Sequence, residues 1–328
     1  MHRASRAAFA GVAFATLLLA AGCGNRAATS SSPSAAGGAV VRIGYQNSGV
    51  FNVLRARGVL DKELAAQGVS IRWINFPAGP QIMEALGAGD VDITHVGDTP
   101  PLFAQASGTS FVYLDNVPVT DPASNAVIVP DASPIRTLAD LKGKTIALQK
   151  GSTSEYFLYA ALRRAGLNFS DVHVAYLAPG DAESAFTNGH VDAWVTWDPY
   201  LTIAKTKDKA RVIVDERGLP LPGSYYLATR AFATQHPALA KQIVQATLAT
   251  SVWEVAHPEQ AAQIMVTQMG LDAPTWKALI LRGGVQGLRP VDAKVVAMQQ
   301  GEADTLFALH VLPKKIDVAR DVLGRDTP

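Results

Sequence analysis

Three short patterns recur along the chain in the same order, at offsets of 100 to 103 residues. The matched pairs are 43–46 with 146–149, 89–92 with 189–192, and Asp98-Thr99-Pro100 with Asp198-Pro199. Each match alone is short enough to arise by chance, but their common order and spacing are harder to explain in that way. The repetition predicts two lobes of similar plan, each with a helix, a glycine turn and a strand directed at a shared centre.

The chain alternates short β-rich runs with helical stretches, which is typical of an α/β protein. The predicted strands are 41–45, 71–76, 93–96, 112–114, 126–129, 145–149, 172–176, 193–196, 211–214 and 225–229. The predicted helices are about 50–66, 79–87, 99–107, 137–141, 154–165, 181–188, 199–206, 231–234, 237–256, 258–269, 273–282 and 291–309. A length of 328 residues fits about two such domains.

Composition excludes several classes of protein. With 48% hydrophobic residues and a single cysteine, the chain can bury sizeable cores that disulfides do not brace. The formal charge is +1 and no basic stripe is present, which argues against nucleic acid as a partner, because that binding neutralises many phosphates at once. The histidines show neither the helical i, i+4 pair nor the clustering of a zinc site, so no metal and no cofactor are expected.

The first 22 residues read as a signal peptide. Arg3 and Arg6 form a positive segment, residues 7–21 are uncharged and apolar, and the apolar stretch is short for a membrane span. The protein is therefore expected to be exported to the cell envelope or periplasm.

Cys23 follows this segment in a sequence, Leu-Ala-Ala-Gly-Cys, that resembles the bacterial lipobox, with Ala20 where Leu is usual. The resemblance implies that Cys23 is lipidated and anchors the chain to a membrane; the alternative is an ordinary thiol. Residues 23–39 read as the lipidated cysteine and a flexible tether, since 24–38 are rich in Ser, Ala and Gly. After residue 40 no apolar run approaches the roughly 20 residues of a membrane helix.

Three turns combine a strand end with a helix start: 46–49, 97–101 and 151–154. Ligands of α/β sheets lie outside the carboxyl ends of strands, where helix N-termini present unpaired N–H donors and partial positive charge. In the second turn Thr99 is expected as N-cap, with Pro100 at the first helical position. The three turns predict a site for an oxyanion that needs no Lys or Arg, although capping alone would also explain Ser, Thr and Asp there.

A family resemblance rests on segments spread over nearly the whole mature chain. They are Phe76-Pro77-Ala78-Gly79-Pro80-Gln81, Gly97-Asp98-Thr99-Pro100-Pro101, Asp140-Leu141-Lys142-Gly143, Gln149-Lys150-Gly151-Ser152, Val191-Asp192-Ala193-Trp194, Trp197-Asp198-Pro199-Tyr200 and Val311-Leu312-Pro313-Lys314-Lys315. Together they resemble the aliphatic sulfonate-binding proteins of bacterial ABC importers. The segments at 76–80 and 197–200 are specific to that family, whereas 140–143 marks only the broader superfamily of solute-binding proteins.

The resemblance implies a type II periplasmic binding protein fold, with two lobes of mixed β-sheet flanked by helices and a ligand cleft between them. It implies a first lobe of 40–125 plus 230–328, a second lobe of 126–229, and crossings near 124–126 and 229–231. It also implies a monomer with no catalytic residues, which closes on an alkanesulfonate and delivers it to the membrane subunit of an ABC permease.

The residues expected to bind ligand lie in these turns and near the second crossing. They are Gln46, Asn47, Gly97, Asp98, Thr99, Ser152, Thr153, Trp197, Asp198, Ser224 and Tyr225. Backbone N–H groups and hydroxyls are expected to hold the sulfonate, and Asp98 is expected to orient its turn, since like charges repel. Trp197 is either a platform for the carbon tail or part of the core. Asp198 either caps the next helix or meets an amine of the substrate.

Other readings stay open beside this one. Related binding proteins serve taurine, nitrate, a thiamin precursor or an aromatic acid. A rival from another class is an enzyme of pyrimidine-precursor synthesis on the same fold, which is expected to need a reactive cysteine-rich segment; the chain after Cys23 has no cysteine.

Overall fold

The computed structural model describes residues 39–219 and 221–323, and this part of the chain folds into two five-stranded sheets flanked by helices. The strands are β1 (Ala39–Gln46), β2 (Val69–Phe76), β3 (Ile93–Val96), β4 (Phe111–Val117), β5 (Asn125–Pro130), β6 (Thr145–Leu148), β7 (His173–Tyr176), β8 (Ala193–Trp197), β9 (Ala210–Asp215) and β10 (Ser224–Thr229). The α/β class and the predicted strands are confirmed.

The α-helices also follow the predicted order. They are α1 (Val50–Arg57), α2 (Val59–Ala65), α3 (Gly79–Ala88), α4 (Thr99–Ser107), α5 (Thr153–Arg164), α6 (Pro179–Thr187), α7 (Tyr200–Lys207), α8 (Arg230–Gln235), α9 (Pro237–Ala256), α10 (Pro258–Met269), α11 (Ala273–Gly283) and α12 (Ala293–Ala308). The single helix predicted over 50–66 is wrong, because Gly58 adopts a left-handed conformation (φ 61°) that ends α1 and precedes α2. The helix predicted over 137–141 is a short 3-10 turn, Leu138–Leu141.

The two sheets have the same topology. Their strand orders are β2-β1-β3-β10-β4 and β7-β6-β8-β5-β9. In each sheet three parallel strands are followed by one antiparallel strand, β10 or β5, and a fifth strand, β4 or β9, pairs antiparallel with it. The second sheet is built from consecutive strands, whereas β10 joins the first sheet from a distant part of the chain. β1 corresponds to β6 and β3 to β8. The internal repetition in the sequence therefore reflects two lobes of similar plan, as predicted.

The repeated Gly-x-Val-Asp pattern has one structural task in both lobes. Asp92 accepts a hydrogen bond from the backbone N–H of Arg42 (2.8 Å) and donates its own N–H to the Arg42 carbonyl. Asp192 makes the same pair of bonds with Thr145, at 2.8 Å for the carboxylate. In each lobe the aspartate thus fixes the start of a central strand against its parallel neighbour.

The chain changes sheet twice, between β4 and β5 and between β9 and β10. The crossing segments are 118–124 and the stretch that links β9 to β10, and they are joined by a hydrogen bond from the Glu216 N–H to the Pro122 carbonyl (3.0 Å). The second crossing predicted at 229–231 is wrong: β10 already pairs with β3 and β4 in the first sheet. The sequence shows β10 as a strand but not which sheet it joins.

Apolar clusters cover both faces of each sheet, and a further cluster spans the lobes. Val53 of α1 and Ile203 of α7 pack there with Met265 and Trp276 from α10 and α11. The carboxy-terminal helices consequently form a wall beside the junction of the two lobes. Within the described residues no helix has both the length and the apolar character needed to cross a membrane.

Candidate ligand-binding site

A cavity of about 380 Å³ lies between the two sheets. Its wall is built where strands end and helices begin: the turns after β1, β3, β6 and β8, the start of α3, and both crossing segments. The carboxyl ends of the central strands of both lobes therefore meet at one place, which is where α/β sheets bind ligands.

In the described part of the chain, three helices begin at the cavity without a side-chain cap. They are α1 after Gly49, α3 after Ala78 and α5 after Ser152. The N–H groups of a first helical turn have no acceptor within the helix, so these ends offer donors and partial positive charge to an anion. In α3 the donors are the N–H groups of Gly79 and Gln81, because Pro80 between them has none. Two belong to the first lobe and one to the second, so an anion held by them would touch both lobes.

The start of α4 does not have this character, contrary to the expectation from residues 97–101. Asp98, not Thr99, is the N-cap, and its carboxylate accepts from the Thr99 N–H at 2.8 Å. Pro100 and Pro101 follow and have no N–H to give. The Asp98 carboxylate offsets the partial positive charge at the start of α4. The start of α3 therefore replaces the start of α4 among the donors at the cavity. Gly79 at the start of α3 lies within the family motif 76–81, but no local pattern in the sequence marks it as part of an anion site.

Asp98 joins the two lobes. It is buried (1% exposed), and its Oδ1 accepts a hydrogen bond from the Thr153 hydroxyl of the second lobe at 2.6 Å. Its backbone carbonyl accepts from the Gln299 side chain of α12 at 2.6 Å. A Cβ placed on Gly97 would overlap the Thr153 hydroxyl, so this contact requires glycine at position 97. Asp98 orients its turn, as predicted, and also accepts a hydroxyl across the cleft.

Most of the predicted ligand-binding residues line the cavity. They are Gln46, Gly97, Asp98, Ser152, Thr153, Trp197, Asp198 and Ser224. The Ser152 hydroxyl already donates to the Gln149 carbonyl at 2.7 Å, so the donor that this residue can offer a ligand is its backbone N–H. The Ser224 hydroxyl is 2.7 Å from Nε2 of His95.

Three of the predicted residues are not among those lining the cavity. Thr99 is fully buried behind Asp98. Tyr225 points into the core of the first lobe, where its ring lies 4.9 Å from that of Tyr113. Asn47 lies in the turn after β1, near the Tyr200 hydroxyl of the second lobe. Strand alternation explains Tyr225: its neighbour Ser224 lines the cavity, and successive side chains of a strand point to opposite faces.

The structure shows what Trp197 and Asp198 contact. The Trp197 ring packs edge-on against Tyr200 at 5.9 Å and also lines the cavity, so it belongs to both core and wall. Asp198 Oδ1 accepts from the N–H and hydroxyl of Thr202, at 3.0 and 2.6 Å, which is the capping role. Its other oxygen is paired with Arg282 of α11.

The structure adds residues that sequence reasoning missed. Within the described chain Arg282 is the only Lys or Arg lining the cavity, and it also pairs with Asp121 of the first crossing. Further apolar side chains in the wall come from α1, α10 and α11: Val50, Val53, Met265, Trp276, Leu279 and Ile280. Helical periodicity predicts these helices, but no local signal indicates which face meets a cleft formed by distant strands.

Burial changes the protonation of several groups in the wall. Desolvation raises the pKa of Glu216 to about 8, and the nearby Asp98 adds to the shift, while Asn125 donates to Glu216 Oε1 at 2.9 Å. Desolvation likewise raises the pKa of Glu254 to about 8 and lowers that of His95 to about 4. At neutral pH Glu216, Glu254 and His95 are therefore mainly uncharged, which makes the cavity less negative than its sequence suggests. No cluster of three or more His, Cys, Asp or Glu suited to a metal occurs in 39–219 and 221–323.

Two lobes of matched α/β topology, crossed twice by the chain and enclosing a cavity lined by helix N-termini, define a type II periplasmic binding protein fold. The chain belongs to the NMT1-like family, whose model matches residues 40–268, and within it to the family of aliphatic sulfonate-binding proteins. The resemblance stated from the sequence motifs is confirmed.

Three similar proteins support this membership. The chain is 38% identical over 296 residues, 90% of each protein, to an aliphatic sulfonates-binding protein of Escherichia coli (strain K12). The alkanesulfonate-binding protein SsuA from Xanthomonas axonopodis pv. citri, bound to MOPS, superposes with a TM-score of 0.82 at 35% identity, covering 87% of this chain and 98% of that one. The periplasmic aliphatic sulphonate binding protein SsuA from Escherichia coli gives 0.77 at 38%, covering 86% and 91%. These proteins are binding proteins and not enzymes.

Proposed function

We propose that the protein is an exported solute-binding protein that captures an aliphatic sulfonate between its lobes and delivers it to an ABC permease. The observation that carries the proposal is the meeting of three uncapped helix starts from both lobes at one cavity. A sulfonate is a monoanion at any physiological pH and has three acceptor oxygens, so neutral N–H donors can satisfy it.

The rest of the wall suits the carbon chain of such a ligand. Trp197, Val53, Met265 and Trp276 present apolar surface to the cavity, and burial of a chain against it contributes roughly 0.8 kcal/mol per CH₂ group. The binding role needs no reaction at the site, and we assign no catalytic residue.

Taurine, the first alternative, would call for a carboxylate free to meet its amine. Asp198 was the sequence candidate, but Thr202 and Arg282 occupy its two oxygens. Its surroundings therefore favour a ligand without a cationic end.

Calorimetric titration of the purified protein with an alkanesulfonate series, taurine, sulfate and nitrate tests the proposal. We expect micromolar or tighter binding of alkanesulfonates, which corresponds to about −8 kcal/mol or more, with affinity rising with chain length. Preference for nitrate, or no response to any sulfonate, would contradict it. Ser152→Ala is a useful companion: because its hydroxyl is engaged by Gln149, we expect at most about a fivefold loss of affinity.

Membrane attachment is a separate proposal, since Cys23 and the signal peptide lie outside the described residues. The sequence supports lipidation of Cys23 and tethering beside the permease. Cys23→Ala should move the protein from the membrane fraction to the soluble fraction, and unchanged membrane association would overturn the anchor without affecting the ligand proposal.

A further inference from the structure

A buried pair of carboxyl groups lies behind the cleft, one on α12 and one in the turn after β3. Glu302 of α12 is 1% exposed, as is Asp98, and within the described residues neither carboxyl has an ion pair. Thr99 lies between them: its Oγ1 is 2.5 Å from Glu302 Oε1 and 3.3 Å from Asp98 Oδ1. Glu302 does not line the cavity.

The number of protons in this cluster is limited. Thr99 has one hydroxyl proton and cannot donate to both carboxyls. Asp98 Oδ1 already accepts from the Thr99 N–H and from Thr153, whereas Glu302 Oε2 has no hydrogen-bond partner in the part of the chain that the structure describes. These donors favour a negative charge on Asp98. Glu302 has too few donors to stabilise a second negative charge.

Ionising both groups in this place is costly, because each would be a buried charge without a counter-ion and the two would repel. Burial raises the pKa of both carboxyls, and the charge of Asp98 raises that of Glu302 further. A neutral Glu302 can donate its proton to Thr99, which then donates to Asp98. The hydrogen bonds then run in one direction, from Glu302 through Thr99 to Asp98. Asp98 also accepts a hydrogen bond from the Thr153 hydroxyl.

We propose that Glu302 is held as a neutral carboxylic acid and acts as a positioning residue, orienting Asp98 to accept the Thr153 hydroxyl when the lobes close. The contact between Asp98 and Thr153 joins the first lobe to the start of α5, which lines the cavity. The consequence for affinity rests on the proposed sulfonate function; the protonation of Glu302 and its effect on closure do not.

Infrared difference spectroscopy of the ligand-free full chain tests the protonation directly. The carbonyl stretch of a carboxylic acid is separate from that of a carboxylate and shifts in D₂O. We expect Glu302→Gln to remove one such band from the wild-type spectrum. Glu216→Gln is the matched control, which should remove a different band and leave that of Glu302. An acid band unchanged by Glu302→Gln would overturn the proposal.

Closure is tested with two Glu302 variants. Small-angle X-ray scattering of the ligand-free protein should give the wild-type radius of gyration for Glu302→Gln, whose amide can still donate to Thr99, and a larger one for Glu302→Leu, which cannot. Alkanesulfonate affinity should stay within about twofold for Glu302→Gln and fall about tenfold or more for Glu302→Leu.

Thr99→Val replaces the central hydroxyl with a methyl group of the same shape. This variant tests closure if Glu302→Leu does not fold. It should enlarge the ligand-free protein in the same way. Equal scattering from wild type, Glu302→Leu and Thr99→Val would overturn the positioning role. If no sulfonate binds to wild type, the scattering and infrared results still test the protonation and the positioning role of Glu302.

Discussion

Asp98 and Asp198 occupy equivalent positions in the two lobes, in the turns after β3 and β8, but their charges are stabilised in different ways. Both carboxylates accept a backbone N–H at the start of the following helix. Asp98 is buried, has no ion pair among the described residues, and depends on the hydroxyls of Thr99 and Thr153. Asp198 is paired with Arg282, whose side chain is 38% exposed.

The difference separates two kinds of contact across the cleft. The hydroxyl contact at Asp98 is short-ranged and depends on shape, so the addition of a single methyl group beside it should break it. The ion pair at Asp198 is accessible to solvent, so salt should weaken it and its removal should cost little. The two lobes share one structural plan, but the contact at Asp98 is rigid and the contact at Asp198 is adjustable.

The largest effect is expected from Gly97→Ala. The new Cβ would overlap the Thr153 hydroxyl and keep the lobes apart, while the backbone at position 97 needs no special conformation. Alkanesulfonate affinity should fall about 10- to 100-fold in calorimetry, with little change in thermal stability. Gly180→Ala, which adds a methyl group where no atom lies within 4 Å, is the control. Wild-type affinity in Gly97→Ala would show that the Thr153 contact is not needed for binding.

A smaller effect is expected from Arg282→Met, which removes the ion pairs with Asp121 and Asp198. Affinity should fall about two- to fivefold, and its dependence on salt should decrease. Arg42→Met is a close control, because the Arg42–Asp92 pair has similar exposure, 36% and 10%, and lies within one lobe. Equal losses of affinity in the two variants would contradict a role for Arg282 at the cleft.

The smallest effect on closure is expected from Glu216→Gln, which tests whether a buried carboxyl in the wall is neutral. Its pKa is raised from 4.5 to about 8, so its stabilising contribution is complete below pH 4.5 and is lost as pH rises through about 8. Between these values the free energy of unfolding should fall less in Glu216→Gln than in wild type, as measured by denaturant titration. Glu84→Gln, at an exposed position, should follow wild type. Parallel curves for Glu216→Gln and wild type would show that Glu216 is charged.

Local signals in the sequence were sufficient for much of the fold. Strand alternation, glycine turns and the hundred-residue repetition predicted the strands and two similar lobes. They did not assign β10 to the first sheet, because its partners β3 and β4 are more than a hundred residues away. Gly58 was missed as a helix break because the apolar periodicity continues on both sides of it.

The candidate site was predictable where it consists of turns between a strand and a helix. Gln46, Gly97, Ser152 and Thr153 were found in that way and line the cavity. Arg282 was not, because its position depends on how the carboxy-terminal helices pack against both lobes. Burial decides the protonation of Glu216 and Glu302, and no local pattern in the sequence shows burial of an acidic side chain.

We propose that an alkanesulfonate binds between the two lobes at the starts of α1, α3 and α5. A crystal structure of the protein with octanesulfonate tests it most directly. We predict sulfonate oxygens within hydrogen-bonding distance of backbone N–H groups at those helix starts, and the alkyl chain in contact with apolar residues of the wall such as Val53 and Trp276. A sulfonate bound at Arg282 alone, or outside the cavity, would contradict the account.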